Sequence, residues 1–370
     1  MHPAATGRPI PMSDNKLNSP APKWMIYGAN GYTGELIARE SVTRGLKPVL
    51  AGRSREHVEP LARELRLESQ AFPLDNAEQV ARQVGGHVLV LNCAGPFSAT
   101  AEVMMKACLL ASVHYLDITG EIAVFELAQS LGAQAEAAGV VVCPGVGFDV
   151  IPTDCLAAAL KEALPDATHL ALGFDSRSGM SPGTAKTSVE GLAQGGKVRR
   201  DGKIVTVPLA YKVRRIDFGD GEKDAMTIPW GDVSTAYYST GIPNIEVFMP
   251  GSPAMIRGAR RANLVRPLLG LAWVQRLIKA RIAKTVKGPS EDKRARMPTF
   301  VWGEAINARG ETKVARIRTA NGYSLTVSGS LAVVDYLLQN RPLGGFYTPS
   351  RLLGADLVAR LPQSSDLRIA

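Results

Sequence analysis

Short, unbroken apolar runs alternate with helical patterns from Trp24 onward, and this alternation narrows the fold more than any other feature of the chain. WMIY, Trp24 to Tyr27, precedes a helical stretch over Gly31–Arg44 with Leu36, Ile37 and Val42 at apolar positions. KPVLAG gives way to REHVEPLARELR, and SQAFPL ends at Asp75. HVLVLNCAGP, VHYLDI and GVVVCPG complete the series, the last two each preceded by an Ala-rich helical stretch. A strand with no polar face must be covered on both sides, so the pattern predicts a doubly wound α/β fold with a parallel sheet. In such sheets the ligand lies beyond the carboxyl ends of the strands. Here those ends are Gly28, Arg53, Asp75, Asn92–Phe97, Asp117–Glu121 and Pro144–Asp149.

The first strand runs into GANGYTG. Gly28 permits a tight turn, Gly31 a close backbone approach, and Gly34 close packing of the helix on the strand. The helix start, with Thr33 nearby, offers unpaired N–H groups to an anion. On a strand–turn–helix within this repeat, the loop points to a dinucleotide, with Gly28, Asn30, Gly31, Tyr32, Thr33 and Gly34 as the cradle. A site for NAD usually puts a carboxylate at the end of the second strand, about twenty residues on. This chain has AGRSRE there, and the guanidinium and hydroxyl groups of Arg53, Ser54 and Arg55 suit a 2′-phosphate. The expected cofactor is therefore NADP(H). In NCAGPF, the small residues Cys93, Ala94 and Gly95, with Pro96, leave room for ribose and nicotinamide, and Phe97 could wall the ring. Asp75 reads either as a contact to the adenine edge or as the cap of the next helix.

Beyond Asp154 the pattern changes. THLALGFD, KIVTVPL, KVRRIDF, DAMTIP, NIEVFM, TFVWGEAIN and TKVARIRTA read as strands, with helices near Gly183–Gly195, Asp232–Thr240 and Ala254–Ala283. This predicts a Rossmann-type sheet plus an α+β substrate domain with a mixed, largely antiparallel sheet. The expected division is a tail over 1–22, a nucleotide domain over 23–149, a cap over 150–324, and helices over 325–370 returning to the first domain. The tail is rich in Pro, Ser and Asn and lacks the apolar core of a signal peptide. The four cysteines form no CxxC pair and the five histidines no cluster, so buried thiols, a reducing cytoplasm and no metal site are expected.

The formal charge is +9, and nine Lys or Arg with no Asp or Glu fall between Arg257 and Lys287. In the basic segment over 264–287, Leu271, Val274, Ile278 and Ile282 follow helical spacing, while Trp273 and Leu277 fall off that stripe. Three readings stand: a packed helix with a solvated basic edge, a peripheral membrane helix, or a dock for an acidic acyl carrier protein. Nucleic acid is not expected, because no matching fold or aromatic–basic platform accompanies the patch.

GANGYTG, NCAGPF, YLDITGE, PGVGFDVIPTD, TAKTSVEGL, GPSEDKRAR, VWGEA and GGFYTPSRLLGADLV occur in this order from Lys23 nearly to Ala370. The chain thereby resembles the saccharopine-dehydrogenase-like reductases, and most of all their trans-acting enoyl reductase branch. The resemblance implies NADP(H), a nucleotide domain with a substrate domain, and reduction of a double bond conjugated to a carbonyl. In that branch the substrate is a lipid-like polyketide chain, reduced for a polyketide synthase that lacks a working reductase.

Such a reaction needs donors for the developing enolate oxygen and an acid for the α-carbon. Phe148 and Asp149, after the sixth strand, are placed to face the nicotinamide, although Asp149 and Asp154 could equally be helix caps. Lys186 lies near a helix start, where the dipole does not favour a cation, and is a candidate donor to a substrate carbonyl. Tyr237 and Tyr238 are candidate proton donors. Asp117, Gly120 and Glu121 would shape the cofactor pocket, with Glu121 alternatively favouring its helix start. The expectation is an NADPH-dependent enoyl reductase for an apolar substrate. An imine reductase of the saccharopine-forming kind is the close alternative, and a non-catalytic, membrane-associated NADP-binding scaffold is the distant one. A homodimer is compatible with all three.

Overall fold

The computed structural model describes residues 22–177, 181–286 and 288–370. The first part runs β1 (Trp24–Tyr27), α1 (Tyr32–Thr43), β2 (Val49–Gly52), α2 (Arg55–Leu65), β3 (Ser69–Ala71), α3 (Ala77–Val84), β4 (Leu89–Asn92), α4 (Phe97–Ala111), β5 (His114–Asp117), α5 (Ile122–Ser130), α6 (Gly132–Ala137) and β6 (Val141–Cys143). These strands form a parallel sheet in the order β6-β5-β4-β1-β2-β3. The side chains alternate between two cores. Trp24, Ile26, Leu50, Leu89, Leu91 and Leu116 pack with α1 and α2. Met25, Tyr27, Val49, Ala51, Val90 and Tyr115 pack with α3, α4 and α5 on the other face. Two buried faces explain why the runs carry no polar alternation. The chain crosses back after β3 to place β4 beside β1, so the order reverses between these two strands.

The second part runs α7 (Ile151–Ala163), β7 (Ala167–Ser176), α8 (Pro182–Gln194), β8 (Gly196–Arg200), β9 (Lys203–Val207), β10 (Val213–Asp217), β11 (Glu222–Thr227), α9 (Asp232–Thr240), β12 (Asn244–Pro250), α10 (Pro253–Leu269), α11 (Ala272–Thr285), α12 (Glu291–Arg296), β13 (Thr299–Asn307) and β14 (Thr312–Thr319). Then follow α13 (Gly322–Gln339), β15 (Gly345–Phe346), α14 (Pro349–Leu353), α15 (Leu357–Arg360) and β16 (Arg368–Ile369). The second sheet has the order β10-β11-β12-β7-β13-β14-β16, with the β8–β9 hairpin attached to β12. Only the β12–β7 pairing is parallel among its described pairs. Helix α7 lies on this sheet with Ile151, Cys155, Leu156 and Leu160 fully buried.

Three details differ from the sequence expectation. β8, in GKVRR, has one apolar residue and so carries no strand signal. The expected helix over Ala254–Ala283 is two helices, broken at Gly270 and Leu271 after Pro267; Gln275 Nε2 donates to the last carbonyl of α10, at Leu269, over 2.6 Å. The C-terminal stretch is not wholly helical: β15 extends the parallel sheet beside β6, and β16 pairs with β14. The four cysteines are free, and three are buried.

A buried cation ties the two sheets together. Arg199, only 4% exposed, donates to the carbonyls of Val233 and Gly202 and to Glu126 Oε1 on α5. Its guanidinium lies 4.2 Å from the Tyr237 ring centre. Ser234 and Tyr238 both donate to Glu126. Removing Arg199 leaves two carbonyls without this donor and the Glu126 carboxylate without its cation. Arg199→Ala is expected to cost about 3 kcal/mol of unfolding free energy, measured by urea denaturation; a loss below about 0.5 kcal/mol would show the cluster to be dispensable.

Candidate functional site

The site begins where β1 ends. Gly28 has φ 81°, a left-handed conformation that favours glycine. A Cβ there would stand 2.7 Å from the Ala94 nitrogen, across the crevice between β1 and β4. A Cβ on Gly34 would stand 2.3 Å from the Gly28 carbonyl oxygen, so only glycine lets α1 come this close to the strand. Gly31 is the cap residue of α1, and no side chain caps the helix. The first-turn N–H groups of α1 therefore point out of a narrow, backbone-walled cradle, which is the chemistry a diphosphate requires.

At the end of β2, Arg53 and Arg55 are exposed and Ser54 is half-buried. Ser54 occupies the cap position of α2 without a side-chain capping bond, which leaves its hydroxyl available. Asn30 reaches this strand: a Cβ on Gly52 would lie 3.1 Å from Asn30 Oδ1. Asp75 is exposed and does not cap α3. Asn76 does, accepting from the Gln79 N–H at 2.9 Å. The charges of Arg53 and Asp75 both reach Tyr27, whose phenol burial pushes up to about 12.

The far wall of the crevice holds carboxylates with structural duties. Glu121 was expected to shape the pocket or favour its own helix start. Instead its carboxylate accepts from the Phe97 and Ser98 N–H groups at 2.9 and 2.8 Å, and so caps α4 from a distance. This clamps NCAGPF, including Cys93, Ala94, Gly95 and Pro96, against the end of β5. Asp117 is fully buried. It accepts from Thr119 N, Gly145 N and the Tyr115 hydroxyl at 3.0, 2.8 and 2.7 Å. Burial raises its carboxyl to about 6. These bonds pin β5 to the loop after β6.

Asp149 differs from these. Neither it nor Asp154 caps α7, whose cap position is Val150. Asp154 is buried and holds Ser239 and the Ser350 N–H. Asp149 packs against the strand-end loop: a Cβ on Gly120 would stand 2.8 Å from Asp149 Oδ2. Burial, with a further push from Glu121, raises its carboxyl to about 7. Beside it, Phe148 meets Phe174 edge-on at 5.3 Å, and Phe174 meets Trp230 at 4.7 Å. Trp230 Nε1 is a buried donor with no partner among the described residues. A Cβ on Gly231 would stand 3.3 Å from the Gly120 carbonyl oxygen, so this aromatic wall abuts the same loop as Asp149.

Tyr238 does not join Asp149. Tyr238 gives its hydroxyl to Glu126 and packs edge-on against Phe346, and burial with the Glu126 charge pushes it up to about 12. A phenol so placed is a structural tie and a poor acid. Lys186 belongs to α8, and its side chain lies outside the described residues.

Residues 24–143 match the family model described as the saccharopine dehydrogenase NADP binding domain. This chain carries that NADP-binding domain. Its cofactor is NADP(H), and the cradle at Gly28–Gly34 with the Arg53–Arg55 corner fits it. The human saccharopine dehydrogenase-like oxidoreductase is 28% identical over 153 residues, 35% of each chain. A Mycobacterium tuberculosis protein named "Putative trans-acting enoyl reductase" is 27% identical over 185 residues, 46% of this chain and 44% of that one. Both alignments thus span less than half of the relative. The solved apo saccharopine dehydrogenase (L-Glu forming) of Saccharomyces cerevisiae superposes with TM-score 0.61 at 10% identity, covering 94% of this chain and 100% of that one. That likeness establishes a shared fold.

Sequence reasoning missed the way a distant segment reaches the NADP-binding domain. The Tyr32 hydroxyl donates to the Pro289 carbonyl at 2.6 Å and accepts from Arg294 at 2.9 Å. Its ring also meets Tyr323 edge-on. GPSEDKRAR thereby lies against the glycine loop. Only the shared presence of both motifs hinted at this, since nothing local pairs residues so far apart. For the cofactor corner, the expected result is tighter binding of NADPH than NADH. Arg53→Ala should weaken NADPH about tenfold by loss of a charge-assisted hydrogen bond, with NADH unchanged. Equal affinity of the native protein for both, by fluorescence titration, would remove Arg53 from this role.

Proposed function

We propose that the protein is an NADPH-dependent oxidoreductase that reduces a carbon–carbon double bond conjugated to a carbonyl in an apolar, acyl- or polyketide-like substrate. The observation that carries the reading is Asp149. It stands at a strand end of the nucleotide sheet, beside an aromatic wall from the second sheet, and its carboxyl is held near neutrality. A carboxyl in that state is partly protonated at pH 7 and can give up its proton, which suits a general acid for the α-carbon.

When bound, NADPH supplies the hydride. The chain supplies the rest. Phe148, Phe174 and Trp230 offer an apolar wall that excludes water from the reacting carbons. Asp149 holds the proton. A free dicarboxylic amino acid would call for clustered cations, and GVGFDVIPTD contains none, which favours the enoyl substrate over an imine of the saccharopine type. The alignment with a relative named for enoyl reduction supports the same choice.

The test is NADPH oxidation against a panel of enoyl thioesters and imines. Turnover of enoyl thioesters is expected, and silence across the panel would favour a non-catalytic NADP-binding protein. The rate should fall as pH rises through about 7, where Asp149 loses its proton. Asp149→Asn should lower kcat about 100-fold and flatten that fall. The stability sign runs opposite to the usual carboxylate. A carboxyl raised from 3.8 to about 7 contributes stability below the lower value and loses it as pH rises through the upper one. Asp149→Asn should therefore melt higher than the native protein at pH 8, and an unchanged or lower Tm would contradict a carboxyl raised by its half-buried surroundings.

A further inference from the structure

Helices α10 and α11 expose apolar side chains that the packed-helix reading would have placed inside. The sequence stripe Val274, Ile278 and Ile282 is half-buried, on a helix that rests against α8, where Gln275 Nε2 donates to the Val189 carbonyl. The residues off that stripe point out. Leu264 is 84% exposed, Leu268 59%, Trp273 61% and Leu277 66%. Leu264 and Leu268 are one turn apart on α10, and Trp273 and Leu277 are one turn apart on α11. Leu271, at the junction, is exposed as well. Of the thirteen large hydrophobic residues exposed among the described residues, six lie between Leu264 and Leu277. Single exposed hydrophobics need no explanation, but a cluster of this kind marks an interaction surface.

The charges around it are of one sign. Arg257, Arg260, Arg261, Arg276, Arg281 and Lys284 are exposed on the same two helices, and no Asp or Glu falls between Arg257 and Lys287. We infer that α10 and α11 dock the protein onto an anionic lipid bilayer, with Leu264, Leu268, Trp273 and Leu277 entering the acyl boundary and the arginines meeting the headgroups. A bilayer fits better than a folded acidic partner. Long aliphatic side chains and a tryptophan project singly from two helices, each more than half exposed, which suits a fluid medium that closes around each one. Guanidinium groups interleaved with them suit a sheet of negative charge. Contact is peripheral, because no described helix is long and apolar enough to cross a membrane. The surface does not depend on the reaction proposed above. It would, however, bring a protein that handles apolar chains to where such chains are stored.

The experiment is flotation of the full chain with vesicles of phosphatidylcholine alone and of phosphatidylcholine mixed with phosphatidylglycerol. Binding to the mixed vesicles is expected, weakening as salt rises. Trp273 emission should shift to the blue on binding, because Trp24 and Trp302 are already buried and Trp230 is half-buried. Leu268→Glu with Trp273→Glu should lower binding at least about tenfold, as should Arg260→Glu with Arg261→Glu. NADPH affinity should stay unchanged in both, which confirms that the fold survives. If the native protein stays with the unbound fraction, or if both variants float like it, the bilayer assignment is overturned. Binding to an acidic carrier protein without binding to vesicles would likewise overturn it and assign the face to a protein.

Discussion

Covering a parallel sheet on both faces forces each successive strand residue into a different core. Met25 and Tyr27 face one set of helices while Trp24 and Ile26 face the other. A side chain that breaks this rule buries a polar group without a partner. The constraint leaves polar residues a place only where strands end. That is why Asn92, Asp117, Glu121 and Asp149 gather along one edge of the sheet, and why the crevice beside Gly28 is where chemistry can occur. The second sheet leans on that same edge through α7, α9 and α13. Ser330 donates to the Val146 carbonyl and Thr326 accepts from the Phe148 N–H, so α13 holds the loop after β6.

Carboxylates at this edge do different work according to the hydrogen bonds they receive. Asp117 takes three donors and Asp154 takes donors from two helices, so both act as internal fasteners. Glu121 is fastened to the start of α4. Asp149 has close packing and a like charge nearby, with no donor described for it. A carboxyl in such surroundings is pushed toward its neutral form, whereas donors pull in the other direction. The same side-chain type thus becomes a strut in one place and an acid in another.

Much of this was legible in the sequence because it is local. The strands showed as unbroken apolar runs, and the glycine loop declared itself through its position between a strand and a helix. At the strand end AGRSRE puts Arg53, Ser54 and Arg55 where an NAD site has its carboxylate, and that difference needs no partner to be read. What could not be read depends on distant partners. Glu121 looked like a residue of its own helix because nothing nearby revealed that its oxygens reach α4. Tyr238 read as a candidate proton donor because its partners, Glu126 and Arg199, come from other elements. Tyr32 and Arg294 are brought together only by the fold. Trp273 and Leu277 could be read as lying off the Val274, Ile278 and Ile282 stripe, but which of the two sides faces out depends on packing against α8, and the break at Gly270 was masked by good helix formers on either side.

The capping of α4 by Glu121 makes the crevice electrically lopsided. Two helix starts open onto it, from α1 and from α4. The first keeps its N–H groups for an incoming anion. The second has already spent its leading N–H groups on a carboxylate of the chain itself. A molecule carrying a diphosphate therefore meets free donors on the α1 side of the crevice, while the α4 side has its leading N–H groups already taken by Glu121.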